Sequence, residues 1–262
     1  CREHVISVQS AIDEQLLRPR LYFDGTETSS RSKSGLKSLL RRTPFETRVE
    51  RALTTLDASI NGRPLWNWSG AIYLDNIKSA EALCAELRKK YPDLKVYNAT
   101  GNQPDQPDFD VRPFLLVCCK RFKEGANIKA LGYVMTLASL NDTDAIQIGG
   151  RLSRKSDRSD ELPYGLFFAF GDGSHEKNSL RSDPMGVDHE NFLQNCRAPD
   201  GENLTRYWPL MPAASDIFSP VQDRPNRIRI NIGFLKDHTK HGEGNSIEFL
   251  TRKRHRIEEH TP

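Results

Sequence analysis

Residues 71–87, AIYLDNIKSAEALCAEL, contain the unit from which the fold is predicted. The first four residues, 71–74, are all apolar, which is typical of a strand buried on both faces. After the polar pair Asp75-Asn76, which is typical of a turn, apolar side chains recur at the spacing of a helix. These side chains are Ile77, Ala80, Leu83, Cys84 and Leu87. The segment therefore predicts a buried strand, a tight turn and a helix.

Similar apolar runs follow at intervals along the chain and extend this unit into a sheet. Four further strands are predicted, over 94–97, 113–119, 131–137 and 165–170, with a helix over 147–154 before the last one. Short apolar strands that alternate with helices indicate an α/β fold, in which a mostly parallel sheet carries helices on both faces. Ligand sites in such sheets form at the carboxyl ends of the strands, so we expect the 147–154 segment near that edge.

Composition limits the classes of function. The 262 residues carry a net charge of +3, which is too small to indicate nucleic-acid binding by bulk charge alone. Basic residues are concentrated at 31–42 and 252–256, where a phosphate-backbone contact and a solvated surface are both compatible with the sequence. No apolar run approaches the roughly 18–20 residues that a membrane span needs, so no membrane partner is expected.

The cysteine pattern predicts neither a disulfide framework nor a zinc site. The five cysteines are irregularly spaced and include no Cys-x-x-Cys pair, and His238 and His241 have no cysteine nearby. We therefore expect no bound metal in this chain. Free cysteines of this kind are typical of a reducing intracellular compartment, cytoplasm or nucleus.

The segment Gln147-Ile148-Gly149-Gly150-Arg151-Leu152-Ser153-Arg154 carries the clearest chemical signal. Two arginines three residues apart on one helical turn would point their guanidinium groups in the same direction. A guanidinium binds phosphate oxygens through two hydrogen bonds and stays charged at neutral pH. The segment therefore predicts a phosphate contact, although solvated arginines at a loop-to-helix junction have the same pattern.

Three segments in order resemble the motifs of a known family. Residues 71–87 resemble motif IV, residues 121–128, with Glu124-Gly125-Ala126-Asn127-Ile128, resemble motif V, and residues 147–154, with Gln-x-x-Gly-Arg-x-x-Arg, resemble motif VI. Together they are similar to the second RecA-like lobe of superfamily 2 helicases and translocases. The resemblance implies a P-loop NTPase-type α/β lobe, a RecA-like parallel sheet flanked by helices, over residues 69–171. Outside that range, the apolar patterns predict an N-terminal helical or linker segment at 1–68, with a helix over 44–60. They also predict a smaller α+β extension of unknown role at 172–262, with a short helix near 191–195 and strands over 227–234 and 246–250.

The resemblance also implies roles for individual residues. Arg151 and Arg154 would be arginine fingers that stabilise charge on a transferred phosphoryl group, an effect worth roughly 10³–10⁵ in rate. Four residues would contact the nucleotide, and three would contact nucleic acid, DNA or RNA. The nucleotide-contacting residues are Gln147, Gly150, Gly125 and Asn127, and the nucleic-acid-contacting residues are Lys120, Arg121 and Lys123. Cys119 stands where the family often has threonine, and Ile148 where it often has arginine.

The chain has no Gly-x-x-x-x-Gly-Lys-Ser/Thr phosphate loop. Asp24-Gly25-Thr26-Glu27 follows no clear buried strand in the sequence, so we do not expect it to hold Mg²⁺. ATP and Mg²⁺ would be bound mainly by a first RecA-like lobe, which we expect upstream in the same polypeptide. Two alternatives stay open: an inactive RecA-like module that binds nucleic acid or acts as a scaffold, and an unrelated doubly wound nucleotide-binding enzyme.

Overall fold

The computed structural model describes residues 8–25, 43–100, 105–119, 131–155, 161–171, 180–183 and 188–213. The strands are β1 (Arg20–Asp24), β2 (Ser59–Ile60), β3 (Arg63–Pro64), β4 (Gly70–Leu74), β5 (Lys95–Ala99), β6 (Phe114–Cys119), β7 (Tyr133–Thr136), β8 (Gly165–Ala169) and β9 (Cys196–Arg197). The helices are α1 (Val8–Asp13), α2 (Phe45–Leu56), α3 (Ile77–Lys90), α4 (Asp142–Leu152), α5 (Asp188–Gln194) and α6 (Leu204–Tyr207), and a 3₁₀ turn spans Leu65–Asn67.

The central element is a six-stranded sheet in the order β1-β8-β7-β4-β6-β5. Every neighbouring pair in it is parallel, for example β4 and β6, in which Leu74 lies opposite Cys119. The residues of β4, β6, β7 and β8 are all buried, as expected for strands covered on both faces. The predicted α/β fold, a parallel sheet flanked by helices, is confirmed.

Alternate residues of each strand divide the core between the two faces of the sheet. In β4, Ile72 and Leu74 belong to the cluster that contains buried residues of α2 and α3. Ala71 and Tyr73 belong to the other cluster, which contains Ala145, Ile148 and Leu152 of α4. The helix that carries the arginine segment therefore covers the face opposite to α2 and α3.

Two asparagine caps set the starts of the helices that follow β4 and β7. The side chain of Asn76 accepts hydrogen bonds from the backbone N–H groups of Lys78 and Ser79, at 2.8 and 3.3 Å. Asn141 accepts one from the N–H of Asp144 at 2.8 Å, and acidic residues occupy the first turn of α4. Both features stabilise a helix start, because they satisfy free N–H groups and oppose the positive end of the helix dipole. Asn76 is thus a turn former, as the sequence predicts.

Strand β1 was not predicted. The sequence predicts a helical or linker segment over 1–68, yet Arg20–Asp24 pairs with β8 along its full length and forms an edge of the sheet. Only Leu21, Tyr22 and Phe23 are apolar there, which is too short a run to stand out among polar neighbours. The expectation that Asp24 follows no buried strand is therefore wrong, because these three residues are buried. Thr26 and Glu27 lie outside the described residues.

Other elements differ from the sequence predictions in their bounds. The helix expected to extend to residue 60 ends at Leu56, and Ser59–Ile60 joins β3 and β9 in a small antiparallel sheet. The helix expected near 191–195 is present as α5. The strands predicted over 227–234 and 246–250 lie outside the described residues. In the part of the chain that the structure describes, no helix is long and apolar enough to cross a membrane.

Candidate functional site

Helix α4 carries the arginine segment, and its last turn lies at the amino edge of the sheet. A Cβ atom added to Gly165, the first residue of β8, would lie 2.6 Å from Cβ of Leu152, the last residue of α4. The backbone N–H of Arg18, two residues before β1, donates to the carbonyl of Ser153 at 2.9 Å. The expectation that the arginines lie near the carboxyl edge is therefore wrong. A helix that connects two parallel strands runs back along the sheet, so its C-terminus returns to the edge where the strands begin.

The first arginine of the pair is almost fully covered. Arg151 lies in the last turn of α4 and is 4% exposed. Its positive charge acts on Tyr73 of β4 and Cys118 of β6. Burial raises the pKa of both groups, and the charge of Arg151 opposes part of that rise. The guanidinium therefore lies among core groups on the α4 face of the sheet.

The second arginine lies beyond the helix. Ser153 is the C-cap of α4, and Arg154 follows it as a half-buried residue. The prediction that Arg151 and Arg154 share one helical turn is therefore wrong. The helix begins at Asp142, five residues before Gln147, and ends at Leu152, so Arg154 lies outside it. Arg154 is the more accessible of the two side chains.

The other predicted contacts on α4 differ in their surroundings. Gln147 is exposed, and Gly150 is half-buried with no atom within 4 Å of an added Cβ. Gly149 has the tighter environment, because an added Cβ would lie 2.5 Å from the hydroxyl oxygen of Tyr22 in β1. Gly149 thus permits the close approach of α4 to the sheet. Gln147 and Arg151 are four residues apart, so they lie on the same side of α4.

The predicted residues of the motif V-like segment lie outside the described part of the chain. They are Lys120, Arg121, Lys123, Gly125 and Asn127. The segment is bounded by described residues on both sides: Cys119, the end of β6, is buried, and Leu131, just before β7, is also buried. The structure therefore describes where the segment leaves the sheet and where it returns, but not its residues.

Arg18 is a residue of this region that the sequence does not single out. Its Nε and Nη2 atoms donate to the carbonyl oxygen of Leu152, at 2.9 and 2.7 Å. Nη1 donates to the carbonyl of Leu162 at 3.2 Å, and Nη2 also donates to the carbonyl of Leu131. Arg18 precedes Pro19 in a stretch without any motif, so no local signal could have indicated these contacts.

A second pair of arginines, from α2, reaches the opposite edge of the sheet. Arg48 donates to the carbonyl of Leu137, just after β7, and Arg51 donates to the carbonyl of Gly25, just after β1, at 2.9 Å. Both guanidinium groups are partly buried in these contacts. Arg48 and Arg51 of α2 therefore reach the carboxyl edge of the sheet. The sequence places both on a helix but does not indicate which edge they contact.

A bound nucleotide with its metal ion requires ligating side chains for the metal and positive groups for the phosphates. Among the residues that the structure describes, no group of three or more His, Cys, Asp or Glu side chains could hold a metal ion. The guanidinium of Arg154, half-buried at the end of α4, has the chemistry that a phosphate group requires. Among the described residues, Arg154 is therefore a candidate for a phosphate contact, and no metal-binding cluster accompanies it.

No family model matches the chain, and no curated protein matches it. It is similar to solved structures of an ATP-dependent Type ISP restriction-modification enzyme, LlaBIII, bound to DNA (TM-score 0.43, 13% identity, 72% of this chain and 15% of that chain). It is also similar to the C-terminal domain of the DEAD-box protein Dbp5 (TM-score 0.37, 15% identity, 62% of this chain and 81% of that chain). A third is a fragment of a putative HsdR subunit of a type I restriction enzyme from Vibrio vulnificus YJ016 (TM-score 0.41, 15% identity, 65% of this chain and 35% of that chain). This chain thus spans well under half the length of both restriction enzymes.

Proposed function

We propose that this chain is the C-terminal lobe of an ATP-dependent nucleic-acid helicase or translocase. In this proposal a first lobe, upstream in the same polypeptide, binds ATP and Mg²⁺ through its own phosphate loop. The present chain contributes arginines to the nucleotide and basic residues to the nucleic acid. An intracellular location belongs to the same proposal.

The observation that carries the proposal is the order of the motif-like segments on the parallel sheet. Residues 71–87 form β4 and α3, residues 121–128 connect β6 to β7, and residues 147–154 form the end of α4 and the residues after it. Each segment therefore belongs to a strand-to-helix or strand-to-strand connection of one sheet, as the resemblance implies. The order of the three segments along the chain is what supports the proposal.

The proposed chemistry of this chain is electrostatic. Phosphoryl transfer spreads negative charge over the equatorial oxygens of the transferred group, and a guanidinium stabilises that charge without changing its own protonation. ATP would supply that group when bound to the first lobe. Arg154 would reach the phosphates, since it is the more exposed arginine, and Arg151 would add positive charge from the core side of the same helix end.

The basic residues Lys120, Arg121 and Lys123 are the proposed contacts to nucleic acid. In the sequence they follow β6, whose last residue is Cys119, and ligands of α/β sheets bind beyond the carboxyl ends of the strands. Contacts between basic side chains and phosphates make binding salt-dependent, because each one releases counterions.

The test is ATP hydrolysis by the full-length polypeptide that contains this chain, with and without single-stranded DNA, duplex DNA or RNA. We expect stimulation by one of these nucleic acids. Arg154→Ala should lower kcat by roughly 10³-fold, the lower end of what arginine fingers contribute. Lys155→Ala is the matched control, because it removes an exposed positive charge from the neighbouring position. Equal kcat values for wild type and Arg154→Ala would refute the finger role of Arg154.

One observation favours a second candidate, an inactive RecA-like module that binds nucleic acid or acts as a scaffold. Arg151 is 4% exposed, whereas an arginine finger has to reach a nucleotide. In this case the full-length polypeptide binds nucleic acid in a salt-dependent manner but does not hydrolyse ATP. Fluorescence anisotropy with labelled DNA and RNA, measured beside the ATPase assay, separates the two candidates.

A further inference from the structure

We infer that Arg18 is a positioning residue for the arginine segment, which it holds against the starts of β7 and β8. The inference rests on the proposed function for its effect on catalysis, although the contacts that support it do not depend on that function. The guanidinium of Arg18 donates to backbone carbonyl groups, so its proposed effect acts through the positions of Arg151 and Arg154.

The contacts of Arg18 converge on the end of α4. Nε and Nη2 both donate to the carbonyl of Leu152, and the backbone N–H donates to the carbonyl of Ser153. Leu152 and Ser153 are the two residues between Arg151 and Arg154. The carbonyl groups of both residues that separate the proposed fingers are therefore bound by Arg18.

The guanidinium of Arg18 also binds the connections that lead into β7 and β8. Nη1 donates to the carbonyl of Leu162, which precedes β8, and Nη2 donates to the carbonyl of Leu131, which precedes β7. Leu131 is the first described residue after the motif V-like segment. Arg18 thus joins the return of that segment to the end of the arginine helix.

The protonated guanidinium suits this position because the acceptors carry partial negative charge. The last carbonyl groups of a helix have no partner within the helix and form the negative end of its dipole. Arg18 is 3% exposed, and burial lowers its pKa to about 10, an effect that the charge of Glu161 opposes. Arg18 therefore stays protonated at neutral pH, with its charge balanced by carbonyl groups and by Glu161.

Loss of these contacts would release the helix end and displace the fingers. A shift of about 1 Å in a group that stabilises a transition state can cost roughly 10²-fold in rate. Lysine at position 18 keeps the charge but lacks the planar fork, so it cannot bind the same carbonyl groups together. We therefore expect Arg18→Lys to lower kcat by at least about tenfold, with the KM for ATP changed less than about threefold.

The matched control is Arg20→Lys. Arg20 is half-buried and also binds through two nitrogens, but to the carboxylate of Asp183 and not to α4. Both variants should lose stability, which thermal unfolding measures. Only Arg18→Lys should lower kcat, and only it should speed hydrogen–deuterium exchange at the amides of 150–153. Because exchange is measured on the folded protein without nucleotide, it reports on the helix end whether or not ATP is hydrolysed.

The outcomes separate the inference from the proposed function. If the wild-type polypeptide hydrolyses ATP and Arg18→Lys has a normal kcat, the inference is overturned and the proposed function stands. If the wild-type polypeptide does not hydrolyse ATP, the proposed function fails, and exchange alone tests the contacts of Arg18. Unchanged exchange at 150–153 in Arg18→Lys overturns the inference in either case. An equal loss of kcat in Arg20→Lys would reduce Arg18 to a general contributor to stability and would also overturn it.

Discussion

The two adjacent glycines of α4 should respond in opposite ways to the same substitution. Alanine in place of glycine stabilises a helix by about 0.5–1 kcal/mol when the site has room for the methyl group. At Gly150 no atom lies within 4 Å of the added Cβ. We therefore expect Gly150→Ala to raise the free energy of unfolding by about 0.5–1 kcal/mol.

Gly149→Ala should instead destabilise the protein. The added Cβ would lie 2.5 Å from the hydroxyl oxygen of Tyr22, whereas ordinary contacts begin at 3.4 Å. The tyrosine ring is buried and packs against Phe167 with 5.2 Å between ring centroids, so it cannot move aside freely. Overpacking of this kind costs about 1–3 kcal/mol, which outweighs the helix gain over most of that range. The two variants should therefore differ by about 1–3 kcal/mol, with Gly149→Ala the less stable.

Urea unfolding followed by circular dichroism measures this difference. Tyr22→Phe supplies the control, because it removes the nearest atom and leaves the next ones at 3.4 Å from the added Cβ. In a double-mutant cycle, Gly149→Ala should cost less in the Tyr22→Phe background than in the wild type. Equal stabilisation by alanine at 149 and 150 would refute the close approach of α4 to β1.

Three further predictions concern buried polar groups. Asp183→Asn should cost about 3–5 kcal/mol in urea unfolding, because it leaves the charge of Arg20 without its carboxylate partner, and a loss below about 1 kcal/mol would contradict this. Burial raises the pKa of Tyr22 to about 12 from its ordinary value of 10.0. The neutral hydroxyl therefore contributes fully to the free energy of unfolding below pH 10, and this contribution is lost as the pH rises to 12. In Tyr22→Phe the loss of stability between pH 10 and pH 12 should be smaller by about 2–3 kcal/mol. Burial also raises the pKa values of Cys84 and Cys196 to about 12. At pH 8, iodoacetamide should therefore label both thiols far more slowly in the folded protein than in urea, because the thiolate is the reactive form. Equal labelling in both states, measured by mass spectrometry, would contradict this.

The sheet could be predicted largely from sequence, because its central strands are continuous apolar runs. Strands such as β4 and β6 are buried on both faces, so nearly every one of their residues is apolar and the run is easy to recognise in the sequence. Strand β1 lies at the edge and has half-buried residues at both ends, so its signal is shorter. It was therefore missed although it belongs to the same sheet.

The positions of the side chains in the arginine segment could not be predicted from the sequence. The sequence shows two arginines three residues apart, but the burial of each one depends on where α4 ends and which edge of the sheet that end reaches. Arg151 and Arg154 differ in exposure because the helix stops between them, at Leu152. The contacts of Arg18 depend on three distant carbonyl groups, and backbone carbonyls carry no sequence signal.

The pairing of β1 with β8 has a consequence for how this lobe is made. Arg20 lies opposite Gly165, so β1, the first strand of this sheet in the sequence, pairs with β8, the last one. During synthesis β1 can therefore pair only after the other strands of the sheet have been made. Such distant pairing slows folding. A shortened protein that begins at the motif-based boundary, residue 69, would leave the edge of β8 open, with Phe167 and Phe168 without their contacts to Tyr22 and Phe23. An open, apolar strand edge promotes aggregation, so expression of this lobe should begin upstream of Arg18.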